Sequence, residues 1–247
     1  MLKMQVISIE NLTQHFDEKL KVLDNISLEV NKNDFITLVG PSGCGKSTLF
    51  KVITKLIKNY DGSIKINNTP LIESSDNLGY MPQKDLLLPW RTLYKNVTLP
   101  LELAHKSVDE SELRRLISIF GLSGFEKSYP HQLSGGMKQR AALLRTFLMG
   151  NEIILLDEPF AALDSLTKKK LQLWLVDVFK KMNKTVIFIT HDIEEALTLS
   201  NRVIVLSKLP ARIIEEFKID EEYPRSYEVL NSEKMLKIKK KIIDLIE

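Results

Sequence analysis

Gly40-Pro41-Ser42-Gly43-Cys44-Gly45-Lys46-Ser47-Thr48 match the pattern G-x-x-x-x-G-K-[ST] and follow directly on the apolar run Phe35-Ile36-Thr37-Leu38-Val39, which reads as a buried strand. Glycines at 40, 43 and 45 let the chain turn with positive φ and bring consecutive backbone N–H groups toward one anion, where a bulky side chain would block the approach. Polyphosphate therefore sits on the backbone. Lys46 reaches the β- and γ-phosphates as a compact point charge, and the Ser47 hydroxyl stands ready for Mg²⁺ at the start of a helix expected to run to about Leu56, with Thr48 as a second contact. A Gly-rich turn alone is only a tight loop. A tight loop has no need of a lysine followed by Ser-Thr.

Working outward, Glu152 to Leu156 forms a second short apolar strand that ends in Asp157-Glu158-Pro159. The carboxyl ends of strands in an α/β sheet are where catalytic groups are presented. Asp157 is expected to hold Mg²⁺ through water, and Glu158, pointing the other way, to polarise the water that attacks the γ-phosphate. Two adjacent carboxylates are otherwise common in turns. Between these motifs, Leu133-Ser134-Gly135-Gly136-Met137-Lys138-Gln139-Arg140 opens a helix to about Met149, with Gly150 as its terminating residue. A serine and two glycines at a helix start form a second anion site, so one chain carries two phosphate-binding helix starts and one lysine-bearing loop.

With these three elements in order, the sequence resembles the ATP-binding subunits of ABC transporters, whose LSGGQ signature it matches with Met137 in place of Gln. The resemblance covers nearly the whole chain. It implies ATP and Mg²⁺ as cofactors, and a homodimer, or a dimer with a close relative, in which Ser134, Gly135 and Gly136 cap the nucleotide held by the loop Gly40, Pro41, Ser42, Gly43, Cys44, Gly45, Lys46, Ser47 and Thr48 of another copy. It also assigns roles to single residues. Phe16, thirty positions before Lys46, matches the aromatic that stacks on adenine, with a strand core residue as the alternative. Gln83 in Tyr80-Met81-Pro82-Gln83 matches the glutamine that contacts Mg²⁺ or water. Asp164 in Ala162-Leu163-Asp164 matches a loop crossing the dimer interface and also reads as the N-cap of a helix from Ser165 to about Met182. His191, at the end of the strand Thr185 to Thr190, matches the switch histidine on the γ-phosphate. The catalytic set is thus Glu158, His191, Lys46 and Gln83, and the metal set Ser47, Gln83 and Asp157.

Leu86-Leu87-Leu88-Pro89-Trp90-Arg91-Thr92, Pro159-Phe160-Ala161-Ala162-Leu163-Asp164 and the short tail look like the importer branch for nitrate, sulfonates, taurine and bicarbonate. Tyr80-Met81-Pro82 departs from the usual Val-Phe, and Arg145-Thr146-Phe147 from the usual Arg-Ala-Leu; neither change touches an ATP contact. The branch implies transmembrane permease subunits as direct partners, an extracytoplasmic solute-binding protein as an indirect one, and a peripheral place on the cytoplasmic face of the cell membrane. An exporter's cassette and a non-transport ABC ATPase are the other readings. The second usually carries duplicated cassettes, coiled coils or basic insertions, none of which is visible here.

With 247 residues, 44% of them hydrophobic, the chain suffices for a substantial core in one domain. The expected fold is α/β: a P-loop NTPase core with a mixed sheet flanked by helices, an antiparallel β part, and an inserted helical part. Residues 1–83 and 151–230 would form the core, 84–150 the helical lobe with the signature, and 231–247 a C-terminal helix. Balanced charge, 35 basic against 32 acidic residues, argues against a nucleic-acid partner. One cysteine, Cys44, excludes an internal disulfide, which suits a reducing compartment, and it reads as a small filler at a variable loop position. No run approaches the roughly eighteen apolar residues of a membrane span. Val6 to Phe16 and Leu20 to Val30 alternate as antiparallel strands, with further strands at Gly62 to Asn68, Leu78 to Met81, Arg202 to Leu206 and, at an edge, Arg212 to Phe217. Ser107-Val108-Asp109-Glu110 resembles a capping box ahead of Leu113, Leu116, Ile117 and Phe120. The tail helix from Ser232 has an apolar stripe and a lysine face, suited either to docking on the domain or to a membrane surface. Trp90 and Arg91 suit either a contact with a membrane subunit or packing and capping within the helical lobe.

Overall fold

A computed structural model describes residues 4–17, 20–74, 78–223 and 225–247. The described strands form two sheets. Strands β1 (Gln5–Phe16), β2 (Leu20–Asn31), β4 (Asp61–Ile66) and β5 (Thr69–Pro70) make an antiparallel sheet in the order β2-β1-β4-β5. The other sheet runs β10-β9-β3-β8-β7-β6, from β10 (Ile213–Lys218), β9 (Arg202–Leu206), β3 (Phe35–Val39), β8 (Thr185–Ile189), β7 (Ile153–Asp157) and β6 (Gly79–Met81). All its strand pairs are parallel except the edge pair β9 with β10.

The mostly apolar runs of β3, β7, β8 and β9, buried at every position, follow from burial on both faces. Ile36 and Leu38 of β3, Ile187 and Ile189 of β8, and Ile204 and Leu206 of β9 share one core with the antiparallel sheet and with α1 (Lys46–Ile53). On the opposite face Phe35, Leu156, Val186 and Phe188 pack with α5 (Gly135–Leu148) and α6 (Ser165–Lys181), while Val39, Val203 and Val205 meet α7 (Ile193–Leu199) and α9 (Glu233–Ile246). Between β6 and β7 come the short helices α2 (Leu93–Val97) and α3 (Leu99–Leu103), then α4 (Glu110–Ile119), a 3-10 turn at Pro130–Gln132 and α5. Trp174 ties this helical layer to α6, edge-on to Phe120 at 4.9 Å and tilted against Phe147 at 5.4 Å.

Three expectations are settled or corrected by these elements, and one helix is added. Helix α1 stops at Ile53, not Leu56, because Lys55 turns left-handed at φ +63° and its N–H bonds back to the Val52 carbonyl. The cap of α4 is Asp109, accepting from Ser111 and Glu112 N–H, rather than Ser107. Val108 then precedes the cap and joins the core that holds Leu113, a hydrophobic staple that fixes where the helix begins. A short helix α8 (Tyr227–Leu230), unforeseen, precedes α9. The tail helix docks: Met235 and Ile242 are fully buried, and Lys234, Lys239 and Lys241 pair with Glu221, Glu194 and Glu215. Its apolar stripe is thereby used within the chain.

Arg202 joins the two sheets at the end remote from the phosphate loop. It bonds the Glu29 carbonyl at 2.7 Å, Asp34 at 2.9 Å and Glu216 with two bonds of 2.8 and 2.9 Å. Asp34 is only 2% exposed on its side chain, so Arg202→Met takes the cationic partner from a buried carboxylate that keeps its bonds to Asn31 and Asn201. We expect a loss of about 3 kcal/mol in urea unfolding at neutral pH. The Arg202 guanidinium also holds the Glu216 carboxyl below the ordinary range. A lowered folded-state pKa stabilises above the unfolded pKa and ceases to as pH falls through the folded one, so the gap between wild type and variant should narrow on acidification.

Candidate functional site

The order β3-β8-β7-β6 places the carboxyl ends of four parallel strands side by side, and each delivers one group: the phosphate loop after β3, His191 after β8, Asp157 and Glu158 at the end of β7, Gln83 after β6. The phosphate loop, Gln83 and Glu158 meet at a cleft of about 260 Å³ lined by Ser42, Gly43, Gly45, Lys46, Ser47, Thr48, Gln83 and Glu158, while Asp157, bonded to Ser47, and His191, 3.5 Å from Glu158, lie outside its lining. A larger cavity of about 670 Å³ lies between the sheets around Glu29, Arg202 and Glu216, but there Arg202 is already fully paired. Chemistry, not size, selects the smaller cleft.

Within the loop, Gly43 and Gly45 are left-handed at φ +76° and +118°. A Cβ at Gly43 would meet no protein atom within 4 Å, so the loop is bare on that side. A Cβ at Gly45 would crowd Val22 and Leu23 at 3.1 Å, and the φ of +118° favours glycine there whatever the space. Lys46 folds over the loop and donates to the Gly40 and Pro41 carbonyls at 2.8 and 2.9 Å. Cys44 is buried in the core beside it, the small-filler reading, which leaves only its backbone for a ligand.

Asp157 is buried and hydrogen-bonded to Ser47. Burial raises its carboxyl pKa, the Ser47 bond opposes this, and the neighbouring Glu158 charge adds to the rise. A hydroxyl, one buried carboxylate and the nearby Gln83 amide form an oxygen donor set of the kind Mg²⁺ accepts when phosphates and water complete its shell. Among the described residues no cluster of three or more His, Cys, Asp or Glu offers an all-protein metal cage. Burial, reinforced by Asp157, pushes the Tyr80 phenol up to about 12; this departure from the usual motif packs edge-on to Phe50 of α1 at 6.1 Å.

Glu158 is left-handed at φ +49°, a conformation non-glycine residues seldom adopt. Its carboxylate accepts from Gln83 Nε2 at 3.2 Å and lies 3.5 Å from His191 Nδ1. Phe16 is 63% exposed at the end of β1, so it is no strand core residue, and it does not line the cleft. Ser134 caps α5, accepting from Met137 N–H, and Asp164 caps α6, accepting from Thr167 N–H. Neither of these, nor Gly135 or Gly136, lines the cleft.

The family model described as ABC transporter matches residues 23–161, more than half of the chain. The chain belongs to the ABC transporter family. An uncharacterized ABC transporter ATP-binding protein of Methanocaldococcus jannaschii is 44% identical over 98% of this chain and 91% of its own length. An aliphatic sulfonates import ATP-binding protein of Bacillus cereus is 40% identical over 98% and 96%. A formylaminopyrimidine import ATP-binding protein of Halalkalibacterium halodurans is 40% identical over 94% and 90%. Among solved structures, a dimeric bacterial ABC transporter cassette superposes with TM-score 0.77 at 31% identity, covering 90% of this chain and all of that one, and the same cassette bound to ADP and Pi gives 0.76. The cleft therefore belongs to an ABC ATPase domain with the α/β P-loop fold.

This ABC cassette also uses residues that motif reading passes over. Thr190 and Glu195 are hydrogen-bonded on either side of the His191 turn, and Lys168 of α6 reaches both Asp192 at 2.8 Å and the buried Glu195 at 2.6 Å. Arg145 of α5 donates to the Asp85 and Leu86 carbonyls at 2.7 and 2.9 Å, just after Gln83. Buried Asn96 accepts from Leu88 N–H and donates to the carbonyls of Leu88, Arg91 and Thr92. Residues 85–92 are thus held from two helices, leaving Trp90 71% exposed while Arg91 pairs with Glu102 at 2.6 Å. Arg91 takes the packing role, and Trp90 faces solvent.

Proposed function

We propose that this chain is the ATP-hydrolysing subunit of an importer for a small solute of the nitrate, sulfonate, taurine or bicarbonate type. It works as a head-to-tail dimer on the cytoplasmic face of the membrane, bound to transmembrane permease subunits and served by an extracytoplasmic solute-binding protein. The division into a core, residues 1–83 and 151–230, and a helical lobe, residues 84–150, is part of this proposal, as is movement of the lobe with nucleotide state. One observation carries the dimer: the cleft contains Lys46, Ser47, Gln83 and Glu158 but no residue of Ser134-Gly135-Gly136. One chain holds both halves of a nucleotide site without closing them on each other. The relatives named for sulfonate and formylaminopyrimidine import, matching end to end, support the importer reading, and the exposed Trp90 supports a protein partner at that surface. Among the described residues no helix is long and apolar enough to cross a membrane, so a membrane position would come through the permease.

In this mechanism the loop N–H groups and Lys46 bind the polyphosphate, Lys46 exchanging its two carbonyl partners for phosphate oxygens. Mg²⁺, held by Ser47 and by Asp157 and Gln83 through water, would supply charge neutralisation at the β- and γ-phosphates. Glu158 polarises the attacking water, with Gln83 and His191 orienting its carboxylate. Phe16 stacks on the base, Asp164 crosses the interface, and the partner's signature donors close the site against bulk water.

Because each site needs two chains, turnover per chain should rise with protein concentration until dimers dominate. A flat dependence, with scattering showing only monomers in the presence of ATP and Mg²⁺, would remove the composite site. Purifying the intact complex and screening its binding component by thermal shift against nitrate, sulfonates, a pyrimidine precursor and bicarbonate tests the solute class.

A further inference from the structure

Gln139 lies in the second turn of α5, 6% exposed, and the roles given above leave it unused. Its amide makes two bonds to opposite ends of one turn. Nε2 donates to the main-chain carbonyl of Glu158 at 2.8 Å, and Oε1 accepts from the N–H of Ala162 at 2.7 Å. Since a carbonyl accepts and an N–H donates, only one orientation of the amide satisfies both.

The turn so held begins with Glu158 in its strained left-handed conformation. On the other side, Glu158 N–H donates to the Ile189 carbonyl of β8 at 3.0 Å. The peptide before Glu158 is therefore fixed by the sheet and the peptide after it by α5. Those two planes set the direction in which the Glu158 side chain leaves the backbone. Gly136, one turn earlier on α5, faces the same turn: a Cβ there would meet the Ala162 carbonyl oxygen at 3.0 Å, so helix and turn are in close contact.

We propose that Gln139 is a positioning residue for hydrolysis, holding the Glu158 main chain so that its carboxylate stands at Gln83 and His191. This rests on Glu158 being the residue that polarises water. Glutamine suits the task because a single planar group supplies one donor and one acceptor. Glutamate of the same size keeps the acceptor for Ala162 but turns an oxygen toward the Glu158 carbonyl, and alanine loses both bonds.

The test is steady-state ATP hydrolysis with Mg²⁺ by the full chain carrying Gln139→Ala, Gln139→Glu, Glu158→Gln, or Gln139→Ala with Glu158→Gln. A displacement on the order of 1 Å at a reacting group costs about a hundredfold, so each single Gln139 variant should lose about ten- to a hundredfold in kcat with the KM for ATP within about threefold of wild type. Adding Gln139→Ala to Glu158→Gln should leave the residual turnover unchanged, since residues acting as a unit are not additive. Wild-type kcat in both Gln139 variants overturns the proposal. So does a further fall in the double variant, or a kcat loss matched in both by loss of thermal stability and of ATP binding. If Glu158→Gln itself hydrolyses ATP at the wild-type rate, the assignment of Glu158 fails and this inference with it; if Glu158→Gln is inactive while the Gln139 variants are normal, only this inference fails.

Discussion

Glu158→Gln is expected to lower ATP turnover by about two to four orders of magnitude, the range for removing a positioned general base, while leaving nucleotide binding intact. Glutamine has the same length, and its carbonyl oxygen can still accept the bond that Gln83 Nε2 makes at 3.2 Å. What disappears is the negative charge. The Ser47 and Asp157 groups proposed for Mg²⁺ are untouched by the change. The protein should therefore accumulate as an ATP-bound dimer, visible by size exclusion or scattering with ATP and Mg²⁺ and absent with ADP. Turnover within about twofold of wild type would show that water is activated elsewhere.

Lys46→Met should have the opposite signature: nucleotide binding is lost first, and turnover follows. Methionine keeps the stem length and fills the same mostly buried channel, but it lacks the ammonium that now donates to the Gly40 and Pro41 carbonyls. Two charge-assisted bonds to phosphate of about 1.5–3 kcal/mol each disappear from the nucleotide complex, but the free protein loses its two carbonyl bonds as well, so the net affinity loss is the difference, about 2–3 kcal/mol or roughly thirty- to a hundredfold. The free protein also loses those two loop bonds and should be less stable by about 1–3 kcal/mol. Titration with a fluorescent ATP analogue and thermal unfolding without nucleotide measure the two effects. An affinity within about threefold of wild type would mean that the backbone N–H groups alone hold the phosphates.

The groups at the cleft were legible because each follows a short, largely apolar strand. Val39 gives way to the loop, Met81 to Gln83, Leu156 to Asp157 and Glu158, and Ile189 to His191, and the run itself reports a strand buried on both faces. Gln139, Arg145, Asn96 and Lys168 left no such trace. Each is one polar residue within a helix, and the partners of three lie far along the chain: Glu158 is 19 positions from Gln139, Asp192 is 24 from Lys168, and Asp85 is 60 from Arg145, while Asn96 meets an irregular loop four to eight residues back. Local pattern carries nothing about which distant carbonyl a side chain will meet. Helix ends were harder still, since Ser107 and Asp109 are both good caps; Asp109 takes the Ser111 and Glu112 N–H bonds, with Val108 partly buried against the core that holds Leu113.

By itself, the sequence determined the phosphate loop, the acidic strand end, the signature helix start and the family, because those depend on residue type at short, fixed spacing. Only the tertiary structure decided that the tail helix spends its apolar stripe on α7 and β9, that Arg91 pairs while Trp90 stays in solvent, and that the start of α5 stands apart from its own chain's cleft while holding the Glu158 backbone through Gln139. The physical reason is range. Backbone conformation and anion binding are set within a few residues, whereas packing and the pairing of buried polar groups depend on which distant segments the sheet order brings together.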